Sequence, residues 1–176
     1  MNVLVALLLA LQWASCAHAA DAPDAPDAVN AVNAVATRIL VDKTYRLLHV
    51  FAGERKIATY RVGLGTSPVG HKQQEGDRRT PEGRYTLDFK KSDSTFFRAI
   101  HINYPNAADR ARAKKLGVRP GGDIMIHGES NDPGQRKAIR RLPSRDYTYG
   151  CIALFNSDMQ RLWDQVRVPI PIEIVP

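Results

Sequence analysis

One thiol and one imidazole in this sequence stand in settings suited to covalent catalysis. Cys151 follows Gly150 in Tyr147-Thr148-Tyr149-Gly150-Cys151-Ile152-Ala153-Leu154, and His127 ends the apolar run Ile124-Met125-Ile126 just before Gly128. A thiol is mostly protonated at neutral pH, so a nucleophilic cysteine needs a neighbour that takes its proton, and imidazole is the usual choice. Glycine beside each residue admits a peptide substrate close to the backbone and permits a sharp turn. The backbone amides of Gly150 and Cys151 would then form an oxyanion hole, which makes the implied chemistry acyl transfer. No spacing of histidines and cysteines suits a zinc site.

The elements that must position these two residues read as a mainly β domain with about two helices. Ile39-Leu40-Val41 and Tyr45 to Phe51 form a predicted hairpin, and Gly53-Glu54 turns the chain into a third strand from Lys56 to Val62. Gly63 to Gly83 is glycine-rich and loop-like, but without a Gly-Lys-Ser/Thr ending or a following helix it is no phosphate-binding loop. Strands follow over Arg84 to Phe89 and Phe96 to Ile102. A basic helix spans Asn106 to Leu116, capped by Asn106 and stopped at Gly117. Asn131 to Arg145, with Arg136, Lys137, Arg140 and Arg141, reads as a solvated basic loop, with a mobile cover over the site as the alternative. Asn156 is expected to cap a helix reaching Val166 that buries Met159, Leu162, Trp163 and Val166. Ile172 to Val175, preceded by Pro169 and Pro171, is assigned to a sheet edge. His49 and His101 are read as structural and His71 as solvated.

The N-terminus belongs to a different regime. Val3 to Leu11 is apolar but too short to span a bilayer, and Ala17-His18-Ala19 offers a signal peptidase site, so residues 1–19 read as a secretory signal. Processing as a lipoprotein at Cys16 is the alternative. Residues 20–37, with repeated Ala-Pro-Asp and Ala-Val-Asn units, read as a flexible tether, leaving 38–176 as the folded domain. Removal of the signal leaves Cys151 as the sole cysteine, which rules out an internal disulfide and leaves a thiol redox site without a resolving partner. The net charge of +7 favours anionic partners, among them nucleic acid, an anionic membrane or a carboxylate-rich wall polymer. Nothing in the chain resembles a recognition helix or an array of aromatic and basic residues, so nucleic acid is not expected.

His127-Gly128 after a hydrophobic strand, followed by Thr148-Tyr149-Gly150-Cys151-Ile152-Ala153, resembles the catalytic domain of the L,D-transpeptidases, the YkuD-type enzymes of bacterial peptidoglycan. Gly76-Asp77-Arg78-Arg79-Thr80-Pro81-Glu82-Gly83, Tyr104-Pro105-Asn106 and Pro120-Gly121-Gly122-Asp123-Ile124 are similar to further segments of that family, so the likeness runs from Arg38 to Pro176. The resemblance implies a β-sandwich of mixed sheets, an exported or periplasmic location, no cofactor and no metal. It implies that Cys151 attacks the carbonyl of the L-centre residue of a stem tetrapeptide and releases the terminal D-alanine, with His127 accepting the thiol proton and an amine then taking the acyl group. Tyr149, Thr148, Gly128, Arg140 and Arg141 are the expected substrate-binding residues. The expected partners are peptidoglycan stem peptides and, as one option, a wall-linked lipoprotein, with the protein acting as a monomer. Glu129 stands where a small hydroxyl residue is common, Tyr149 where histidine is frequent, and Ala153 where arginine is usual. Alanine there is similar to the YafK-like branch, in which hydrolysis rather than cross-linking is implied. A wall-binding module without catalysis is the competing class, but it gives no reason to keep both His127 and Cys151.

Overall fold

The computed structural model describes residues 34–176. The expected signal at 1–19 and most of the expected tether therefore lie outside the described residues. Ala36, two residues before Arg38, is buried and bridges Val166, its amide donating to the Gln165 carbonyl at 2.9 Å.

An antiparallel meander opens the chain with β1 (Arg38–Asp42), β2 (Leu47–Ala52) and β3 (Arg55–Arg61). Ile39, Val41, Leu48 and Val50 are fully buried at alternate positions, as the two-residue period of a strand with one face on the core requires. There follow β4 (Gly83–Lys91), β5 (Ala99–Ile102), α1 (Ala107–Leu116), β6 (Met125–His127), α2 (Pro133–Arg140), β7 (Ile152–Ala153), α3 (Asn156–Gln165) and β8 (Ile170–Val175). All eight strands form one mixed sheet in the order β3-β2-β1-β8-β4-β5-β6-β7, with β1·β8 and β6·β7 parallel. The sheet curls until its ends meet. Beyond β3, Gly63 exchanges hydrogen bonds with Ala153 at 2.9 and 2.8 Å, and Gly65 bridges Thr148. A Cβ on Gly63 would lie 1.9 Å from the Arg145 carbonyl oxygen, so glycine is what allows the seam to close.

Inside the curl, Leu87, Ile100, Ile126, Ile152 and Ile172 pack with Met159 and Leu162 of α3, all essentially fully buried. Each such side chain contributes about 1.5–3 kcal/mol by leaving water. α1 forms as its local signals dictate. Asn106 and Asp109 make a reciprocal capping box, Lys114 and Lys115 occupy the last turn, and Gly117 closes it at φ 67°.

Three expectations fail for identifiable reasons. Residues 133–140 are a third helix rather than loop, because Asp132 caps the Gln135 amide and Pro133 occupies the first turn. β8 is an interior strand, lying between β1 and β4. Pro171 is tolerated there because it precedes the first β1 pairing, Ile39 with Ile172, and faces Thr86, whose own amide goes to the Asn103 side chain. Phe155 occupies the N-cap position of α3 without offering a side-chain bond, and Asn156 is the first helical residue.

The glycine-rich segment beneath the site is tightly pinned. The buried Lys43 ammonium contacts Glu82 at 2.6 Å and donates to the carbonyls of Gly70 and Thr80, while Lys72 pairs with Asp77 at 2.8 Å. His71, expected to be solvated, instead contacts Asp109 at 3.2 Å and accepts at Nδ1 from the Glu82 amide.

Candidate active site

Parallel pairing of β6 with β7 sets Ile126 against Ile152 and His127 against Ala153. Ile126 and Ile152 point into the core, so Met125 and His127 on β6 share the opposite face with Cys151 and Ala153 on the β7 side. This places the thiol and the imidazole one pleat apart on neighbouring strands, both lining a groove of about 580 Å³. Phe96, Met125 and Ile139 give the groove apolar walls, and Lys91, Asp93 and Asp123 bring charge to it.

His127 is buried against the Phe96 ring, with centroids 4.6 Å apart. Its Nδ1 lies 2.7 Å from the Gly128 carbonyl oxygen, which can only accept, so Nδ1 carries the proton and Nε2 is left as the basic nitrogen. Burial pushes the imidazole pKa below its ordinary value against the opposing pull of the Gly128 carbonyl, which keeps the ring neutral at neutral pH. Burial also pushes the Cys151 thiol up. The Met125 backbone amide, directed at the sulfur, and the charge of Lys72 oppose that shift, while Asp123 adds to it. Sγ donates to the Asp123 carbonyl at 3.6 Å, and among the described residues no hydrogen bond joins it to the imidazole. The resting pair is therefore neutral thiol beside neutral imidazole.

The loop that carries Cys151 is held by Thr148. Its buried hydroxyl donates to the Cys151 carbonyl at 2.7 Å and accepts from the Gly150 amide at 3.1 Å. Gly150 has φ 127°, and a Cβ there would lie 2.6 Å from the Arg79 carbonyl oxygen, so this turn needs glycine. The Gly150 amide, expected to be one of an oxyanion pair, is engaged by the Thr148 hydroxyl in this structure.

The expected substrate-binding residues separate into groups. Tyr149 is exposed at the groove beneath the Arg78 guanidinium, 5.2 Å from its centre. Thr148 lines the groove, but its hydroxyl is committed to the loop. Gly128 orients the imidazole through its carbonyl and is not among the groove-lining residues. Arg140 makes a two-pronged contact with Glu129, at 2.6 and 2.9 Å, and Arg141 lines neither this groove nor its neighbour. Glu129 in turn exchanges bonds with Asn156, its carboxylate accepting the Asn156 amide at 3.3 Å and its own amide reaching Asn156 Oδ1 at 2.8 Å. The carboxylate that replaces a small hydroxyl thus caps α3 and ties α2 to it. A second cavity, of about 670 Å³, opens beside the groove and shares Tyr147 and Ile139 with it. Ala153, Glu129, Arg140, Arg145 and Phe155 line this cavity, and sequence reasoning did not find it. Among the described residues no group of three His, Cys, Asp or Glu side chains could hold a metal ion.

A curled mixed sheet with a groove-lining histidine on one strand and a cysteine just before the next defines a family, and residues 36–174 match the model of the L,D-transpeptidase catalytic domain, YkuD. The chain belongs to that family. Among curated proteins it is 36% identical over 86 residues to YafK of Escherichia coli (strain K12), a match covering 47% of this chain and 33% of the relative, so the match spans about a third of YafK. Among solved structures it is similar to the helical cell shape determining protein Pgp2 from Campylobacter jejuni, at 30% identity and TM-score 0.63 over 79% of this chain and 47% of the other. Bd1075 of Bdellovibrio bacteriovorus is also similar, at 29% identity and TM-score 0.55 over 80% and 48% of the two chains.

Proposed function

We propose that the protein is a cysteine acyl-transfer enzyme acting on peptidoglycan stem peptides, with hydrolysis the favoured outcome. The observation that carries this reading is the placement of Cys151 and His127 on one face of adjacent parallel strands, opening into one groove. His127 Nε2 takes the thiol proton as Sγ bonds to the substrate carbonyl carbon, and the developing oxyanion is met by the Cys151 amide. Collapse breaks the C–N bond, the leaving amine takes the proton from the imidazolium, and a thioester remains. Water, or an acceptor amine, then adds to the thioester, loses its proton to His127 and releases the thiolate.

Hydrolysis is favoured because Ala153 provides no guanidinium beside the nucleophile and Arg140 is already bound to Glu129. With no guanidinium at position 153 to orient an acceptor, concentrated water outcompetes a dilute amine. The likeness to Pgp2 supports a role in cell shape. The apolar segment at 3–11 and the site after Ala19 support export to the periplasm. A stem peptide joined to a lipoprotein, and action as a monomer, belong to the same reading.

The test is to incubate the purified protein, and its Cys151→Ala variant, with muropeptides and follow the products by mass spectrometry. Shortened free-acid products formed only by the unmodified protein are expected. Cross-linked or exchanged products in excess would move the assignment to transpeptidation, and turnover by Cys151→Ala would overturn the mechanism.

A further inference from the structure

We propose that the cavity beside the nucleophile groove is a subsite for the free terminal carboxylate of the substrate, and that Arg145 is the residue that reads it. The proposal rests on the stem-peptide reading above and specifies which chain end the site accepts.

Charge in the cavity is unbalanced. Glu129 and the guanidiniums of Arg140 and Arg145 line it, and Arg140 already neutralises Glu129 through two short hydrogen bonds. Arg145 has no carboxylate within ion-pair distance among the described residues, and its guanidinium carbon lies over the Phe155 ring, 3.7 Å from its centre. Stacking on one face leaves the in-plane N–H edge of a guanidinium free to grip a carboxylate in two-pronged fashion. Burial lowers the Arg145 pKa against the opposing influence of Tyr147, Asp158 and Glu129, and a half-buried cation holds an incoming anion more strongly than one in water.

The arginine is also held in place. Its carbonyl packs directly on Gly63, and the next residue, Asp146, is gripped by Arg46 at 2.7 Å and by the Leu64 amide at 2.9 Å. Position matches chemistry as well. Ala153 lines the cavity two residues beyond Cys151 on the same face, about 6–7 Å along the strand. In an extended substrate the carboxylate of the residue after the attacked carbonyl lies roughly one residue, about 3.5 Å, further on. A chain seated on the thiol and crossing the shared Tyr147 and Ile139 wall therefore delivers a terminal carboxylate into this cavity, within reach of a long side chain.

The experiment compares a stem tetrapeptide ending in D-alanine with the same peptide carrying a C-terminal carboxamide. The unmodified protein is expected to prefer the acid in kcat/KM by about 10- to 100-fold, the factor a charge-assisted hydrogen-bonded pair supplies. Arg145→Gln should erase that preference, and Arg145→Lys should restore part of it. Equal turnover of acid and amide by the unmodified protein, or an equal loss on both in Arg145→Gln, would overturn the proposal. Calorimetric binding of the two peptides to Cys151→Ala, with and without Arg145→Gln, reads the same preference without chemistry. If the unmodified protein turns over neither peptide, the hydrolytic reading fails, yet tighter binding of the acid that vanishes in Arg145→Gln still upholds the subsite. Equal binding of acid and amide refutes it.

Discussion

Thr148→Val exchanges the hydroxyl that fastens the nucleophile loop for a methyl group of nearly the same volume. In the native protein that hydroxyl satisfies the Cys151 carbonyl and the Gly150 amide together, and both Thr148 and Gly150 are buried. Valine leaves a carbonyl and an amide unpaired where little water reaches, at about 1–3 kcal/mol each. Relaxation shared between neighbouring groups makes about 2–4 kcal/mol the expected total loss of stability. For a domain of this size the melting temperature moves by about 3 °C per kcal/mol, so thermal unfolding should show a fall of about 6–12 °C. The same change loosens the turn that aims Sγ, so kcat should fall while KM stays within about twofold, the pattern expected when positioning rather than uniform binding is lost. Thr148→Ser keeps the hydroxyl and should recover most of both quantities. A Thr148→Val protein that melts within a degree of the native one and retains its kcat would refute this account of the loop.

Iodoacetamide alkylation of Cys151 should accelerate with pH through the ordinary thiol range near 8.5 and beyond it, since burial raises the thiol and keeps the resting pair neutral. A plateau already reached by pH 6 would show a preformed thiolate–imidazolium pair instead. His127→Ala should slow alkylation and raise the apparent thiol pKa, and an identical pH profile would remove His127 from its role. Acid should destabilise the fold in two stages. Burial holds His127 below about 6.5. For Glu129, burial pushes upward but the Arg140 contact and the Asn156 amide outweigh it and hold the carboxyl below its usual range. Both groups bind protons more readily when unfolded, so the stability they supply is complete above about pH 6.5 and is lost as pH falls, first through His127 and then, below about 4.3, through Glu129. Glu129→Gln should flatten the lower stage in urea titrations at successive pH values, and an unchanged acid limb would contradict that role.

The juxtaposition of His127 with Cys151 in one groove and the α1 helix were legible because their signals are local. Asn106, Asp109 and Gly117 lie within a few turns of one another, and His127 and Cys151 each sit in a short glycine-marked run. The Asp132-Pro133 start of α2 was equally local. It was outweighed by the polar surroundings, since a helix whose only large apolar residue is Ile139 offers almost no periodicity to read. Likewise, Thr148 two residues before Gly150 is the pattern of a hydroxyl bonded to backbone, and it could have foretold that the Gly150 amide is taken. Other features were beyond local inference. The interior place of β8 depends on pairing with strands far away in the chain, and the cap of α3 comes from Glu129 on another segment. The second cavity arises only once residues 129, 140, 145 and 153 are brought together by the closed sheet.

The seam between residues 63 and 153 bears on when Cys151 acquires its setting during folding. Bringing such distant segments together costs loop-closure entropy that nearby contacts do not repay, so sheets joined in this way form slowly. The meander of the first three strands can assemble from neighbours in sequence, whereas the turn holding Cys151 gains its fixed shape only when the far end of the chain returns to meet Gly63 and Gly65. The hydrogen bonds of Gly63 with Ala153 and of Thr148 with Leu64 are then the final stitches of a purse-string, and Cys151 acquires its geometry as the string is drawn tight.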